Sequence, residues 1–371
     1  LRVSTCQSVR RGDIITNRYP KVSIGIPVFN GANYLSETIE SLLAQSFENF
    51  ELVISDNAST DGTEDICRHY VARDRRVRYE RQQSNNGAPW NYNRAFELCQ
   101  GTYFKWHSHD DLCAPNFLAR CVEVLDLNPS IVCCQSRVGV IDAQGIAINT
   151  HDCGLSGAAE VLTVGENGRP ELADSTAMRF AHQRFRCVLL GNNACFDIDG
   201  LIRSEALQRI SLWRPYFGWE KVLISALVLR GRCAEIPEEL FFFRVHDKAC
   251  SARATFEEET AWSNPNQSKS TFNVMVRYHL LAGHFRNILE APIGFWERIH
   301  CCWGIGNYLF QFHKWRSVVP QILKNKGIGG STRAVLRKLE DPQSGLPENL
   351  LASRTIHMVS EELESQGTHR R

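Results

Sequence analysis

Val22 to Val28 (VSIGIPV) is a continuous apolar, partly β-branched run that ends in the turn Phe29-Asn30-Gly31. A run without polar alternation suits a strand buried on both faces, as in parallel sheets covered by helices. Downstream residues keep to that plan. Leu35, Ile39, Leu42 and Leu43 recur at helical spacing behind Asn33, which is placed to cap the first turn. Phe50 to Ser55 (FELVIS) returns as a strand, and Asp61-Gly62 opens a helix with Ile66 and Tyr70 on one face. The alternation continues with a strand at Val77 to Glu80, a helix from Trp90 to Leu98, and a strand from Thr102 to Trp106 that runs into Ser108-His109-Asp110-Asp111. Pro115 then precedes a helix striped by Phe117, Leu118, Cys121, Val122 and Leu125, and Ile131 to Val140 resumes as a strand. This order predicts an α/β fold, an open doubly wound sheet with right-handed crossovers, with ligands bound beyond the carboxyl ends of its strands.

The later chain is less regular. Residues 143–175, rich in Gly, Asp, Asn and Thr, predict a long surface loop. Phe196 to Arg203 reads as a strand, Glu220 to Arg230 as a helix and Leu240 to Val245 (LFFFRV) as a late strand. From about 255 the pattern is mostly helical, ending in a polar tail at Ser365 to Arg371. With 371 residues, 43% of them hydrophobic, the chain can bury a large core, and disorder is not the default. Its formal charge of +1 provides no global field for nucleic acid, so binding must come from local sites.

Fourteen cysteines are scattered through strands and helices without any Cys-x-x-Cys, which disfavours zinc and suggests buried thiols in a reducing compartment. Arg2, Arg10, Arg11 and Asp13 break any apolar stretch of the signal-peptide kind, so a cytoplasmic location is expected. The uncharged stretch Ile299 to His313 is shorter than the ~18 apolar residues of a spanning helix. Its Trp303, Tyr308, Phe310 and Phe312 leave two readings open: a buried helix, which is the plainer one, or a helix lying at the inner face of a membrane.

Three polar clusters fall at strand ends: Phe29-Asn30, Asp56-Asn57 and His109-Asp110-Asp111. In a parallel sheet these ends share one edge, so residues about 50 positions apart in sequence converge on one ligand. Adjacent carboxylates there can hold a divalent cation against phosphate oxygens. An isolated Asp-Asp pair after a strand would more often be a turn or a cap.

The ordered segments VSIGIPVFNGANYLSETIESLLAQSFENFELVISDNASTDGT and NNGAPWNYNRAFELCQGTYFKWHSHDD resemble the nucleotide-binding half of family 2 glycosyltransferases over residues 20–142. Weaker likeness continues through GLIRSEAL, GWEKVLISALVLRG and IPEELFFFRVHDKACS. The resemblance implies a GT-A fold, a Rossmann-like doubly wound sheet. It implies an N-terminal extension at 1–19, a catalytic domain at 20–254 (nucleotide-binding half 20–142, acceptor half 143–254) and a mostly helical region at 255–371. It places Pro27 and Val28 beside the nucleobase, gives Asp56 a contact with the base, makes Asp110 a ribose contact and Asp111 the metal ligand, and makes Glu220 the general base where Asp is usual. His109 departs from the pattern, which often has Asp there.

Asn30, Gly87 and Arg94 are further candidates for donor binding: Gly87 through a turn that brings amides to the diphosphate, Arg94 through its charge, with a helix-entry turn and a solvated helix face as the plainer readings. His246, closing FFFRVH, is a candidate metal or donor contact. Mn2+ or Mg2+ is the implied cofactor. A nucleotide-sugar is the implied donor, with UDP-sugar favoured over thymidine and guanosine donors. A glycan or lipid-linked glycan is the implied acceptor, with peripheral membrane contact as a further partner and polysaccharide biosynthesis as the setting. Gln311-Phe312-His313-Lys314-Trp315 superficially matches a motif of processive synthases, but Lys replaces Arg, so single-sugar transfer is expected. Nucleotidyl transfer to a sugar phosphate and a noncatalytic nucleotide-binding module remain as alternatives. The first would want a basic, Gly-rich loop where Phe29-Asn30-Gly31-Ala32-Asn33 stands.

Overall fold

The computed structural model describes residues 19–148, 159–164, 170–172, 178–191, 196–216, 218–247, 249, 262 and 272–309. Strand β1 (Val22–Val28), buried at every position, pairs in parallel with β2 (Phe50–Asp56) and with β4 (Tyr103–Trp106), and β2 pairs in parallel with β3 (Val77–Arg81). Helices α1 (Leu35–Leu43), α2 (Thr63–Arg73) and α3 (Ala88–Glu97) make the crossovers, as the hydrophobic periodicity predicts. The helix at Leu35 begins behind Tyr34, without a side-chain cap, so Asn33 does not cap it.

Strand β5 (Leu112–Cys113) and helix α4 (Phe117–Leu127) lead into β6 (Ile131–Ile141), which β7 (Ala147–Ile148) flanks. The second half of the sheet is built on β6 and β11 (Arg232–Arg244), parallel over their whole length with register shifts near Glu239. Two elements differ from the sequence expectation. Within the segment expected to be loop, β8 (Ala159–Val164) pairs in parallel with β11, and β9 (Pro170–Leu172) pairs with β8. The strand expected over 196–203 is instead a 3-10 turn at Phe196–Asp199 followed by a short β10 (Leu201–Arg203). β10 lies antiparallel between β4 and β6 and welds the two halves together, so the sheet is mixed rather than wholly parallel.

Two apolar clusters cover the faces of the sheet. One gathers α1, α2 and α4 through Leu35, Ile39, Cys67, Phe117 and Leu125. The other gathers α5 (Ala181–Leu190), α6 (Ser204–Gln208) and α7 (Trp219–Val228) around Phe104, Trp106 and Trp219. Beyond them lie α8 (Phe272–Glu290) and α9 (Phe295–Leu309). The plainer reading of the helix near 299, as a buried element, is corrected: Phe295, Trp296 and Trp303 are about 70% exposed, and Cys301 and Gly304 are the buried positions of α9. No helix among the described residues is long and apolar enough to cross a membrane. The boundary near 254, the extension at 1–18, and residues 310–371 with Gln311–Trp315 lie outside the described residues.

Candidate active site

A cavity of about 430 Å3 opens at the carboxyl edge of β1 and β4. Its wall includes Pro27, Val28 and Asn30 from the end of β1, Asn57 after β2, Asn85, Ala88, Asn91 and Tyr92 at the start of α3, and Ser108, His109, Asp110 and His246. The sequence-selected Pro27, Val28, Asn30, Asp110 and His246 are therefore brought to one place.

Two loops form the rim by clasping each other. The Asn30, Gly31 and Ala32 N–H groups donate to Ser59 Oγ (2.9 Å), Thr63 Oγ1 (3.0 Å) and Asp61 Oδ2 (3.1 Å), and Thr60 N–H donates back to Asn30 Oδ1 (2.8 Å). The backbone turns sharply to permit this, with φ of 53° at Asn30 and 65° at Ala58. Burial pushes the Asp61 carboxyl up, but the bonds from Thr63 and Ala32 outweigh it and hold it below the usual range. Gly31 has no freedom to grow: a Cβ there would stand 2.6 Å from the His109 ring and from Val28 Cγ2. Gly31→Ala is expected to cost about 1 to 3 kcal/mol in overpacking and to drive the His109 ring into the cavity. Nucleotide binding should then weaken roughly tenfold, which urea denaturation together with a nucleotide titration would check.

Asparagines fasten α3 to the strand ends. Asn91 Nδ2 donates to Ser55 O (2.9 Å) and Val28 O (3.2 Å), and Asn57 Nδ2 donates to Asn85 Oδ1 (2.8 Å) and Gly87 O (3.2 Å). Gly87, at φ 88°, turns the chain into α3 and sits just behind the lining residues. The helix start thus faces the cavity, where its amide N–H groups favour an anion.

Asp56, Gly87, Arg94, Asp111 and Glu220 do not line the cavity. Asp56 is fully buried, its oxygens accepting from Ser59 N–H (2.8 Å) and Tyr79 OH (2.7 Å), with Arg81 Nε at 3.6 Å. Arg94 is turned to Glu80 (2.7 Å) and Glu97 (3.3 Å). Glu220 stands half-buried in the first turn of α7, near enough to Asp199 for its charge to raise that carboxyl.

The His109-Asp110-Asp111 turn is held from three sides. The Thr38 hydroxyl hydrogen is shared between the carbonyls of His109 (2.9 Å) and Asp111 (3.0 Å). His107 Nε2–H donates to Asp111 O (3.2 Å), which fixes its tautomer; burial and the Lys105 charge keep this imidazole neutral, well below its ordinary pKa. Arg244 is the third hold and carries no expectation from the sequence. Its N–H donates to Asp111 Oδ1 (2.8 Å), its Nε to Asp110 O (2.7 Å) and its Nη2 to Glu37 Oε2 (2.7 Å), while the guanidinium lies 4.8 Å from the Tyr34 ring centre. Only its place in FFFRVH, one position from a strand end beside His246, marks it in the sequence.

The two aspartates sit in opposite environments. Burial pushes Asp110 up, but the His246 Nε2 contact at 3.0 Å and the His109 charge outweigh it, leaving the carboxyl below its usual range. Asp111, 2% exposed, does not line the cavity; burial and the neighbouring charges of Asp110 and Asp199 push it well above its usual range, against the Arg244 N–H and Lys105. Carboxylate and imidazole therefore face the cavity at 110 and 246, while Asp111, which the resemblance makes the metal ligand, lies behind them. Among the described residues no three His, Cys, Asp or Glu side chains surround a common metal position.

Beneath the turn, Lys105 is buried between the Phe117 and Phe241 rings (4.8 and 4.7 Å) and donates to the Asp199 carbonyl. Burial pushes the Asp199 carboxyl up from 3.8 to about 7, with Lys105 opposing and Asp110, Asp197 and Glu220 reinforcing. Between those two values the folded chain binds more protons than the unfolded chain, so this group's contribution to stability falls as pH rises and levels off above about 7. Asp199→Asn removes that loss. Its melting temperature should exceed that of the parent by several degrees at pH 8 and by little at pH 4, as scanning calorimetry at both pH values would show.

Residues 23–179 match the family described as Glycosyl transferase family 2. A 107-residue stretch is 39% identical to an uncharacterized glycosyltransferase of Rickettsia typhi, covering 29% of this chain and 32% of that protein. A 97-residue stretch is 31% identical to glycosyltransferase GlyG of Streptococcus pneumoniae, covering 26% of this chain and 32% of that one. The matches thus span about a third of these relatives' length. The crystal structure of residues 1–349 of S. aureus TarS in complex with UDP superposes with a TM-score of 0.54 at 16% identity, over 83% of this chain and 78% of that one. Residues 23–179 therefore carry the sequence pattern of family 2 glycosyltransferases, on a sheet of the GT-A kind.

Proposed function

We propose that this protein is an inverting glycosyltransferase that passes one sugar at a time from a nucleotide-diphosphate donor, preferably a UDP-sugar, to a hydroxyl of a glycan or lipid-linked glycan. The observation that carries the reading is the cavity at the β1/β4 edge, where the turn clasp, the α3 N-terminus and the Asp110–His246 pair meet. Pro27 and Val28 supply an apolar wall for the base, and the start of α3 suits the diphosphate. Asp56 supports this pocket from below by closing the loop at Ser59. The preference for uridine draws on TarS, which shares the fold and whose structures contain UDP and UDP-GlcNAc.

Asp110 and His246 fit Mn2+ or Mg2+: one oxygen and one imidazole donor on an open wall leave positions for diphosphate oxygens and water. When bound there, the ion would offset the charge that grows on the departing diphosphate. Glu220 removes the proton from the acceptor hydroxyl as its oxygen bonds to the anomeric carbon and the bond to the diphosphate breaks on the opposite face. The exposed Phe295, Trp296 and Trp303 of α9 support peripheral contact with a membrane surface, where a lipid-linked acceptor would lie.

Release of nucleoside diphosphate from a panel of nucleotide-sugars with Mn2+ and varied acceptors tests this reading. Glu220→Gln is expected to lower kcat by roughly 1000-fold, about 4 kcal/mol, while donor affinity stays within twofold. Full turnover by this variant would remove Glu220 from the mechanism. Pyrophosphate release from a nucleoside triphosphate and a sugar phosphate would favour nucleotidyl transfer instead.

A further inference from the structure

A second cavity of about 430 Å3 lies between the loop before α7, the first turn of α7 and the face of α8 turned toward α7. Its wall includes Arg214, Tyr216, Trp219, His279, Arg286 and Asn287, and no Asp or Glu. Arg214 has no ion pair among the described residues, and Arg286 has only Glu290 at 3.8 Å on the surface. Both guanidinium groups act on the Tyr216 phenol, opposing the upward push of its burial. The aromatic part of the wall is firm: Tyr216 stacks on His279 (5.2 Å, 20°), meets Trp219 edge-on (5.0 Å), and donates through its OH to His279 O (3.2 Å). Trp219 is 4% exposed, and its indole N–H has no hydrogen-bond partner among the described residues.

This cavity adjoins the donor site. Tyr92 of the donor cavity packs on Trp213 (4.2 Å), and Asn93 holds Trp213 by its N–H and its carbonyl (2.9 and 3.0 Å). Trp219 directly precedes Glu220. We infer that the second cavity is an acceptor subsite that holds a phosphorylated sugar, the phosphate between Arg214 and Arg286 and the sugar ring against Tyr216, close to Trp219. Two guanidinium groups suit bidentate binding of phosphate, and a flat aromatic wall suits the apolar face of a pyranose. The acceptor role rests on the glycosyltransferase reading; the site itself does not.

The test is a titration of the full chain with glucose 6-phosphate or inorganic phosphate, read from the Trp219 indole N–H resonance, which Trp219→Phe assigns. Glucose 6-phosphate should shift it saturably, at least tenfold tighter than inorganic phosphate. Arg214→Gln/Arg286→Gln, and separately Ala282→Glu at an exposed lining position, should each weaken it by tenfold or more. UDP binding with Mn2+, followed in the same samples, should be unchanged. No shift, a shift that survives both variants, or equal binding of the two probes would overturn the subsite. Loss of UDP binding in the parent chain, with the phosphate response intact, would instead count against the donor reading.

Discussion

Arg244→Met is expected to lower stability by about 3 kcal/mol and to reduce turnover by roughly 100-fold. The guanidinium is almost fully buried, and its nitrogens reach the carbonyls of Asp110, Asp142 and Ala143 as well as the Glu37 carboxylate. Methionine fills similar volume but donates nothing, so buried carbonyls lose their partners and the turn at 109–111 loses the hold that fixes Asp110 beside His246. The effect on turnover comes through geometry, because a displacement of about 1 Å in a catalytic group costs on the order of 100-fold. Glu37→Gln is the matched control. Glu37 is 52% exposed, and breaking its ion pair with Arg244 should cost less than about 1 kcal/mol. Urea denaturation and donor turnover of both variants separate the two contributions.

Asp110→Asn is expected to reduce kcat/KM by roughly 1000-fold, about 4 kcal/mol, while the protein remains folded. The substitution keeps the shape and removes the charge that faces the cavity with His246. Asp111→Asn should behave differently. Asp111 is driven toward its neutral form by burial and by Asp110, and an amide oxygen at that position can still accept the Arg244 N–H. Its stability should equal or exceed that of the parent at pH 8, and its kcat/KM should fall by less than about tenfold. Steady-state kinetics on the two variants, alongside melting curves, distinguishes them. The opposite ranking would favour Asp111 as the carboxylate that holds the metal.

The first half of the fold was legible because its strands are continuous apolar runs. Val22–Val28 and Phe50–Asp56 cannot be placed anywhere but between helices, and the stripes at Leu35–Leu43 and Phe117–Leu127 supply those helices. Strands that depend on a distant partner were not legible. Ala159–Val164 forms against β11 and is only partly buried, so its local pattern resembles that of a loop. Leu201–Arg203 has three residues and owes its conformation to the two strands it separates.

At the site, residue types and strand-end positions drew attention to Asp110 and His246, whose shared place on the cavity wall is now visible. Which carboxylate faces outward depended on Arg244, 133 residues beyond Asp111, and no local pattern reports that contact. The bonds by which Asn57 and Asn91 tie α3 to the strand ends likewise join residues far apart in sequence, and no local pattern reports them.

Calorimetric titration of UDP into the protein, with and without Mn2+ and repeated on Asp110→Asn and His246→Ala, measures the central claim most directly. The geometry predicts binding that strengthens at least tenfold with Mn2+ in the parent chain and loses that dependence in both variants, their folds intact by circular dichroism. Metal-independent binding in the parent, or metal dependence retained in both variants, would contradict it.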